Sequence, residues 1–300
     1  MMTNDEIFRK NVLLLSQVSE EERRFMPKGD TQLPSVDALR AIVDLAKTIV
    51  FPGFFDRRQA DDTVRSYHIG LNMERLYQTL REQIKLALPF RKKGTDGNSR
   101  DEARELAFGF IDRLPEIKRM LHTDVAAIFD DDPATDNYSE VIFCYPVVQA
   151  MIHYRIAHEL LLAGIPVIPR IITELAHSAT GIDIHPGAQI GEFFSIDHGT
   201  GVVIGETSII GNHVTLYQGV TLGAKNYRLT GQARPTDTPR HPIIEDNVTV
   251  YSNSTLLGRI TIGHDSVIGG NIWVTHSVPP HSFYLQPKAI DLPFTDGLGI

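Results

Sequence analysis

Three side chains are of types that suit polar chemistry at one site: Asp183, His198 and Arg240. The ordinary pKa of histidine lies near neutrality, so His198 can take the proton of a hydroxyl as that hydroxyl attacks. A carboxylate such as Asp183 would fix the imidazole tautomer and stabilise the charge that the ring gains. Arg240 can bind a carboxylate through two parallel hydrogen bonds. These groups predict general-base catalysis on a substrate that carries a carboxylate.

The elements that must position these residues follow from a repeat of six between residues 184 and 278. A branched aliphatic residue recurs every six positions in three runs: Ile184, Ile190 and Ile196; Ile204, Ile210, Leu216 and Leu222; Ile244, Val250, Leu256, Ile262, Ile268 and Val274. Neither an amphipathic helix nor a simple strand has this period. It is typical of a parallel β-helix, in which three short strands make one triangular coil. The alternative is an ordinary β-sandwich with accidental spacing.

Small residues support the β-helix. Glycine follows the inward-pointing residue in several hexads, where tight turns favour a residue without Cβ: Gly191, Gly205, Gly211, Gly263 and Gly269. The inward residues are expected to stack on those of neighbouring coils at ~4.8 Å, the usual spacing of paired strands.

Two breaks in the period mark the expected functional segments. Two extra residues separate the first run from the second, beside Asp197 and His198, and predict a β-bulge that re-aims side chains. Residues 223–242 leave the repeat altogether and end at Arg240-His241. A segment of this length is too long for a turn and indicates a functional excursion loop.

Composition limits the expected partners and compartment. The 300 residues carry a formal net charge of −8 and no long basic cluster, which argues against nucleic acid. The single cysteine, Cys144, suits a reducing compartment and is expected to be buried as a small hydrophobe. The N-terminus has no signal-peptide pattern, and no apolar stretch approaches the ~20 residues of a membrane span. A cytoplasmic protein without a membrane partner is expected.

The residues before the repeat are expected to form an all-helical domain. Helical patterns cover residues 35–50 with Ser35 as N-cap, and then 61–89, 100–129, 146–163 and 170–178. The expected organisation is a polar lead-in at 1–34, a helical domain at 35–180, a β-helix at 181–286 and a tail at 287–300. The predicted fold class is therefore α+β, a helical N-terminal domain followed by a parallel β-helix.

A set of motifs, in this order, resembles the serine O-acetyltransferases, which belong to the hexapeptide-repeat acyltransferases. The motifs are D-P-A-T-D-N-Y-S from Asp132, Y-R-I-A-H from Tyr154, D-I-H-P from Asp183, I-D-H-G-T-G-V-V-I-G-E-T from Ile196, G-V-T-L-G from Gly219 and R-H-P from Arg240. The resemblance covers residues 130–280 well and the preceding helices in general layout. It implies a left-handed β-helix and transfer of the acetyl group of acetyl-CoA to the hydroxyl of L-serine, the first step of cysteine biosynthesis.

The resemblance also implies roles for matching residues. His198 and Asp183 correspond to the family's catalytic dyad. Asp136 and Asp197 are expected to bind the ammonium group of serine, Arg240 its carboxylate, and His241 is expected in the same pocket. Because Asp136 comes from the helical domain, that domain is expected to close the serine site.

Acetyl-CoA is the expected cosubstrate, and no metal is expected. Small residues would line a groove between adjacent β-helices and let the backbone approach the pantetheine arm: Gly223, Ala224, Ser252, Gly269 and Gly270. Backbone N–H groups near Gly223 and Ala224 could stabilise the oxyanion that forms from the thioester.

Further partners are expected. L-Cysteine differs from serine at one atom, so it is expected to compete for the same pocket. An open β-helix leaves flat, partly apolar faces, which predicts a trimer, and the helical domain could pair two trimers. The tail ends at Ile300, whose side chain and carboxylate are expected to bind O-acetylserine sulfhydrylase, the next enzyme of cysteine synthesis.

Three alternatives remain open. Aspartates and histidines of the β-helix could instead form a metal site between subunits, as in the γ-class carbonic anhydrases: Asp183, His185, Asp197, His198, His213 and His241. The repeat could be a scaffold without activity that serves oligomerisation and partner binding. The acceptor could be a different hydroxyl or an amine, as in acetyltransferases for sugars or xenobiotics.

Overall fold

The computed structural model describes residues 2–26, 32–55, 62–91, 99–225 and 238–287. Its helices are α1 Asn4–Ser16, α2 Val36–Val50, α3 Asp62–Ala87, α4 Ser99–Asp131, α5 Tyr138–Cys144, α6 Pro146–Leu162 and α7 Ile168–Thr180. Residues 1–33, with α1, form one compact unit, and residues 34–300 form another. Among the helices that the structure describes, none is long and apolar enough to cross a membrane.

The helix ends agree with the sequence signals. The Ser35 hydroxyl accepts a hydrogen bond from the Ala38 N–H and caps α2 as predicted. Helix α4 runs through Pro115 and ends in the Asp-rich segment. Helix α7 ends at Gly181, whose φ of 72° is a left-handed conformation that glycine adopts without strain. The sequence pattern predicts neither α1 nor α5, because α1 has no buried face and α5 is too short to show a period.

A parallel β-helix follows the helices. Its strands are β1 Asp183–Ile184, β2 Gln189–Ile190, β3 Ser195–Asp197, β4 Val203–Ile204, β5 Ile209–Ile210, β6 Thr215–Tyr217, β7 Thr221–Gly223, β8 Ile243–Ile244, β9 Thr249–Val250, β10 Thr255–Leu257, β11 Thr261–Ile262, β12 Val267–Ile268, β13 Trp273–Val274 and β14 Phe283–Tyr284. Every third strand pairs in parallel, which gives sheet A (β1, β4, β7, β10, β13), sheet B (β2, β5, β8, β11) and sheet C (β3, β6, β9, β12, β14).

The register confirms the six-residue repeat and the predicted fold class. Along sheet A the inward residues pair in the order Ile184, Ile204, Leu222, Leu256 and Val274. Each aliphatic residue of the three runs is at most 7% exposed. The chain turns at three corners in every coil, named here for the sheets that they join: the A–B, B–C and C–A corners.

The first break in the period is a wider corner rather than the predicted β-bulge. The extra residues follow β3 at the C–A corner. The Gly199 N–H donates to the Asp197 carbonyl at 2.7 Å, and the Val202 N–H donates to the Gly199 carbonyl at 3.0 Å. Gly199 and Gly201 have φ of 87° and 81°. Two consecutive turns therefore absorb the insertion, and the strands on either side keep their pairing.

The repeat glycines are required by contact between coils and not by their backbone conformation. None of the five has a positive φ. A Cβ built on Gly191 would lie 2.6 Å from the Gly211 carbonyl oxygen, and one on Gly205 would lie 2.0 Å from Cδ2 of His241. The sequence expectation of tight turns is corrected: at Gly191, Gly205, Gly211 and Gly263 the packed neighbours leave no volume for a side chain.

Helix α6 seals the open end of the β-helix. The hydroxyl of Tyr154 donates to the Ala188 carbonyl at 2.7 Å. The buried guanidinium of Arg155 donates to the Ile190 carbonyl at 2.6 Å and pairs with the buried Asp124 of α4 at 2.8 Å. Carbonyls of the first coil have no coil below them, so these donors satisfy groups that would otherwise be buried without partners.

Candidate active site

The predicted site residues lie at two different corners of the triangle. Asp197 ends β3 and His198 follows it, so both are at the C–A corner. Arg240 and His241 precede β8 and are at the A–B corner. Sheet A separates the two corners within one copy. A single chain therefore does not bring the predicted base and the predicted carboxylate-binding arginine together.

A cavity of ≈ 550 Å³ lies at the C–A corner, between the segment that follows α4, the start of α6 and strand β3. Asp131, Asp132, Asp197 and His198 supply charged or titratable groups to its wall. Cys144 lines it as well and is exposed, so the expectation of a buried thiol is wrong. Three carboxylates and an imidazole around one cavity suit a substrate with an ammonium group and a hydroxyl.

Asp132, rather than the predicted Asp136, brings the helical region to this cavity. Asp132 accepts hydrogen bonds from the Tyr145 hydroxyl at 2.5 Å and from the Ala134 N–H at 2.8 Å. These bonds hold the pKa of the Asp132 carboxyl below its usual range, and the same contact raises the pKa of Tyr145 to about 12. Asp136 is exposed and does not line the cavity. The Asp132 side chain caps the turn at Ala134, whereas Asp136 precedes Asn137, the N-cap of α5.

Asp131 fastens this segment to the β-helix. Its carboxylate accepts hydrogen bonds from the hydroxyls of Ser195 on β3 and Thr215 on β6, the latter at 2.8 Å. Ser195 is two residues before Asp197 on the same strand. The end of α4 is thus tied to two successive coils of sheet C, immediately beside Asp132 and Asp197.

His198 does not contact Asp183 as the predicted dyad requires. His198 has a φ of 58°, and its side chain is 72% exposed, with Nε2 at 3.7 Å from Asp197 Oδ2. The Asp183 carboxylate instead faces Arg170 of α7, with 3.9 Å between Oδ1 and Nη1. Both residues are in the described part of the chain, and no hydrogen bond joins them there. The left-handed corner turns the imidazole towards Asp197.

At the A–B corner, a hydrogen-bonded cluster holds the end of the excursion loop. Arg240 pairs with Glu206 through its guanidinium, and its backbone N–H donates to the Thr207 hydroxyl at 2.8 Å. Arg259 donates to the backbone carbonyls of Thr207 at 2.6 Å and His241 at 3.0 Å. Residues 226–237 of the loop lie outside the described residues. The loop's last residues are therefore fixed on the coil that carries Glu206 and Thr207.

The imidazole of His241 is neutral and accepts a hydrogen bond in this cluster. It is 7% exposed, and its Nδ1 accepts from the Thr207 N–H at 3.0 Å, which places the proton on Nε2. Burial, reinforced by the Arg240 charge, lowers the pKa of His241 to about 4. Gly205 leaves the volume that the ring occupies. The imidazole can therefore donate from Nε2 across the neutral pH range without becoming charged.

The small residues predicted for acetyl-CoA divide between the same two corners. Ser252, Gly269 and Gly270 lie at the C–A corner, in coils beyond His198, whereas Gly223 and Ala224 lie at the A–B corner. A Cβ on Gly270 would lie 3.2 Å from the Ser252 carbonyl oxygen, so these two residues stack closely. One copy thus offers half of the predicted groove at each edge of sheet A.

The residues of the metal alternative do not converge in one copy. Asp197 and His198 are at the C–A corner, His185 and His241 at the A–B corner, and His213 at the B–C corner. Within the residues that the structure describes, no three of the six place ligand atoms together.

Comparison with known proteins covers most of the chain. The plasmid serine acetyltransferase of Synechococcus elongatus is 44% identical over 281 residues, which cover 89% of this chain and 86% of that protein. The chain belongs to the serine acetyltransferase family. The predicted family and the acyltransferase class are thereby confirmed. No family model matches the chain.

Solved serine acetyltransferases share the fold. Serine acetyltransferase 1 of Entamoeba histolytica, in complex with L-cysteine, matches with a TM-score of 0.73 and 35% identity over 91% of this chain and 93% of that one. The enzyme of Neisseria gonorrhoeae, in complex with serine, matches with a TM-score of 0.54 and 26% identity over 82% of this chain and 94% of that one.

Sequence reasoning missed four residues of the site in this acetyltransferase: Asp131, Asp132, Tyr145 and Thr207. Asp132 opens the D-P-A-T-D motif, and the sequence prediction names its second aspartate, Asp136, because nothing in the motif distinguishes the two. Tyr145 and Thr207 act through hydrogen bonds to site residues, which no spacing rule reveals.

Proposed function

We propose that this chain transfers the acetyl group of acetyl-CoA to the hydroxyl of L-serine, and gives O-acetyl-L-serine and CoA in the first step of cysteine biosynthesis. Family membership supports the reaction class. The observation that carries the substrate assignment is the cavity at the C–A corner, where Asp132 and Asp197 face the imidazole of His198. Two carboxylates fit the serine ammonium group, and the imidazole fits its hydroxyl.

His198 is the general base of this proposal. Its imidazole takes the serine hydroxyl proton while the oxygen attacks the thioester carbon and forms a C–O bond. The tetrahedral oxyanion then collapses, the C–S bond breaks, and the proton passes from the imidazolium to the leaving thiolate. Backbone N–H groups near Gly223 and Ala224 are candidates to stabilise the oxyanion. Asp183 remains the predicted orienting carboxylate, although Asp197 is the nearer one in a single copy.

The serine carboxylate would bind Arg240 and His241 of a second copy. Arg240 offers a planar pair of donors, and the neutral His241 offers Nε2–H. These residues and the cavity lie at opposite edges of sheet A, so one copy cannot supply both. Two β-helices packed side by side would place the C–A corner of one beside the A–B corner of the next. The same packing would complete the groove for acetyl-CoA from Ser252, Gly269 and Gly270 on one copy and Gly223 and Ala224 on the other.

A cyclic trimer meets this requirement with one repeated contact. The outward residues of sheet A support it, because beyond Asp183 they are uncharged: Val203, Thr221, Thr255 and Trp273. Trp273 is 66% exposed in one copy, which is unusual for an indole ring. Assembly of two trimers through the helical region remains a further proposal.

L-Cysteine is the proposed competitive inhibitor. It shares the ammonium and carboxylate groups of serine, so Asp132, Asp197 and Arg240 would bind both. The Entamoeba histolytica relative is known in complex with L-cysteine. The predicted contact of Ile300 with O-acetylserine sulfhydrylase falls on residues 288–300, which lie outside the described residues, and it stays a proposal.

The deciding experiment measures thiol release from acetyl-CoA with L-serine and with a panel of other amino acids, sugars and amines. Rapid, saturable release with L-serine and formation of O-acetyl-L-serine by mass spectrometry are expected. Faster release with a sugar or an amine would favour the alternative of a different acceptor.

An Asp132→Asn variant tests the cavity, because it should raise the serine KM more than the acetyl-CoA KM. Equal KM values for wild type and variant would overturn the assignment of Asp132.

A further inference from the structure

The B–C corner carries a column of side chains that the acetyltransferase reaction does not use. In five successive coils this corner holds a non-glycine residue with positive φ, between 54° and 58°: Phe193, His213, Asn247, Asp265 and His281. Asparagine, aspartate and histidine are enriched in this conformation, whereas other residues rarely adopt it. The same backbone position in each coil stacks the side chains in register along the corner.

In the last two coils the column brings three ligand groups together. Nδ1 of His264 is 2.7 Å from Asp265 Oδ2, and Nδ1 of His281 is 3.6 Å from the same oxygen. Each of the three residues offers one ligand atom, and these atoms all lie within 4.8 Å of one another. The other carboxylate oxygen, Oδ1, accepts a hydrogen bond from the Asn247 side chain at 2.9 Å. Asn247 thus orients Asp265 so that Oδ2 faces both imidazoles.

We infer that His264, Asp265 and His281 bind one divalent transition-metal ion of the zinc class. Imidazole and carboxylate are ligands that zinc prefers, and two ligands of one tetrahedral zinc lie roughly 3.4 Å apart. The pair of Asp265 and His281 already has this spacing. The pair of Asp265 and His264 must open by less than ~1 Å. The three side chains are 40–70% exposed, so small rotations can adjust these distances. A water molecule can supply the fourth ligand of the ion.

The surroundings favour a cation. Glu245 accepts a hydrogen bond from the His264 backbone N–H at 2.9 Å, and with Asp246 it adds negative charge near the ring. The hydrogen bond from Asn247 is the kind of outer contact that fixes a ligating carboxylate. The simpler interpretation is an ion pair of His264 with Asp265. An ion pair between His264 and Asp265 alone does not explain why Nδ1 of His281 lies close to the same oxygen, Oδ2 of Asp265.

The ion would fasten the last coil to the coil before it. His281 lies between Val278, which bridges Ile262, and strand β14, which pairs with β12 through two residues. His264 and Asp265 belong to the preceding coil. A ligand that binds only the folded chain raises its stability in proportion to the logarithm of the ligand concentration. Zinc should therefore stabilise the C-terminal end of the β-helix. This site is at the third corner, away from both halves of the active site.

The test titrates the chelator-free full chain with zinc sulfate at pH 7.5, by calorimetry and by thermal unfolding. One zinc ion per chain is expected, with a Tm rise of about 2 °C at ten times Kd. His281→Asn should weaken binding by at least about tenfold and reduce the Tm rise at the same zinc concentration to about 0.6 °C or less. Asparagine suits the left-handed backbone, so this variant keeps the corner intact.

His213→Asn is the matched control. His213 occupies the same corner position in an earlier coil, where its ring stacks on Phe193 at 4.5 Å. This variant should bind zinc as wild type does.

The variant His177→Asn tests a second group that could hold an ion, which consists of Glu174, His177 and Asp183. The inference is overturned if wild type binds no zinc, if His281→Asn binds it unchanged, or if only His177→Asn loses it.

Discussion

At the scale of single residues, backbone conformation decides how each corner histidine is presented. His198, His213 and His281 all have positive φ, and the side chains of His198 and His281 are at least 70% exposed. The period of six predicts which residues point inward, since that follows from strand geometry. It does not encode φ at a corner. The sequence therefore predicts that His198 lies beside a break in the period, as it does. It does not predict the direction of the imidazole, which lies near Asp197 and makes no contact with Asp183.

Replacing His198 with asparagine should remove the base and keep the corner. We expect kcat to fall by about 10²–10⁴-fold with an unchanged Tm, because loss of a general base typically costs this much. Asparagine tolerates the left-handed conformation better than alanine does. Steady-state kinetics and thermal unfolding check both expectations. His213→Asn makes the same substitution at another corner and should keep full activity. A His198→Asn enzyme with near-normal kcat would contradict the mechanism.

Buried His241 should make the protein less stable in acid. In the unfolded chain a histidine takes up its proton near pH 6.5, whereas His241 in the fold does so near pH 4. Between these values the unfolded state holds more protons, so stability falls as pH drops from about 6.5 to about 4. Thermal unfolding at pH 7.5, 6, 5 and 4.5 measures this loss. His241→Asn should lose less Tm over the range than wild type.

Other histidines add to the acid loss of both proteins and cancel in the difference between them. His153 and His185 also have pKa values lowered by burial, and they contribute to the same acid loss in both proteins. An identical dependence of Tm on pH in wild type and His241→Asn would show that His241 is not the group responsible. Above pH 6.5 the pH dependence of the two proteins should coincide.

At the scale of elements, the sequence predicts strands better than it predicts the segment between α4 and α6. Strand positions follow from a regular period of buried residues, and each strand is paired on the predicted register. The D-P-A-T-D segment has no period, and its two aspartates are chemically equivalent in the sequence. Only hydrogen bonds of the folded turn, from Tyr145 and Ala134 to Asp132, decide which aspartate lines the cavity.

Asp131 also lines the cavity, but its carboxylate is engaged by two hydroxyls and should act by positioning this segment. Asp131→Ala removes the acceptor for the Ser195 and Thr215 hydroxyls. Displacement of Asp132 is expected to lower kcat/KM for serine by about tenfold to 10²-fold, while the acetyl-CoA KM stays within about twofold. Asp131→Asn keeps an acceptor oxygen and should recover part of the loss. A lower Tm with unchanged serine kinetics would mean that Asp131 serves stability alone.

Two glycine-to-alanine substitutions should have opposite signs. In Gly205→Ala the new Cβ would lie 2.0 Å from the buried His241 ring, whose hydrogen bonds prevent it from moving. We expect a loss of about 1–3 kcal/mol in the free energy of unfolding and a higher serine KM. Gly109 lies in α4 with nothing within 4 Å of a new Cβ. Gly109→Ala should stabilise by about 0.5–1 kcal/mol. Chemical denaturation measures the free energy of unfolding of both variants. Equal changes in the two would contradict the claim that a Cβ at position 205 collides with the packed His241 ring.

At the scale of the whole molecule, the period contains more information than the motifs alone. Counting hexads in threes assigns each residue that keeps the period to a sheet, with Leu222 in sheet A and Ile244 in sheet B. The excursion loop, which carries Arg240, therefore begins and ends at the A–B corner, whereas His198 follows a strand of sheet C. The count gives no position inside the loop, since residues that leave the repeat also leave the count. The uncharged outer face of sheet A, with Trp273 exposed, then indicates where a second copy packs.

Two inactive variants should restore activity when they share a trimer. His198→Asn and Arg240→Ala, each nearly inactive alone, are co-expressed with different tags, and mixed assemblies are purified on both tags in succession. If His198 acts with Arg240 of its neighbour, every mixed cyclic trimer contains one intact site, which gives about a third of wild-type kcat per trimer. The control is the double variant, which carries both substitutions in one chain and should be inactive. Mixed trimers without activity would contradict a site shared between copies, because each contains at least one unaltered His198 and one unaltered Arg240.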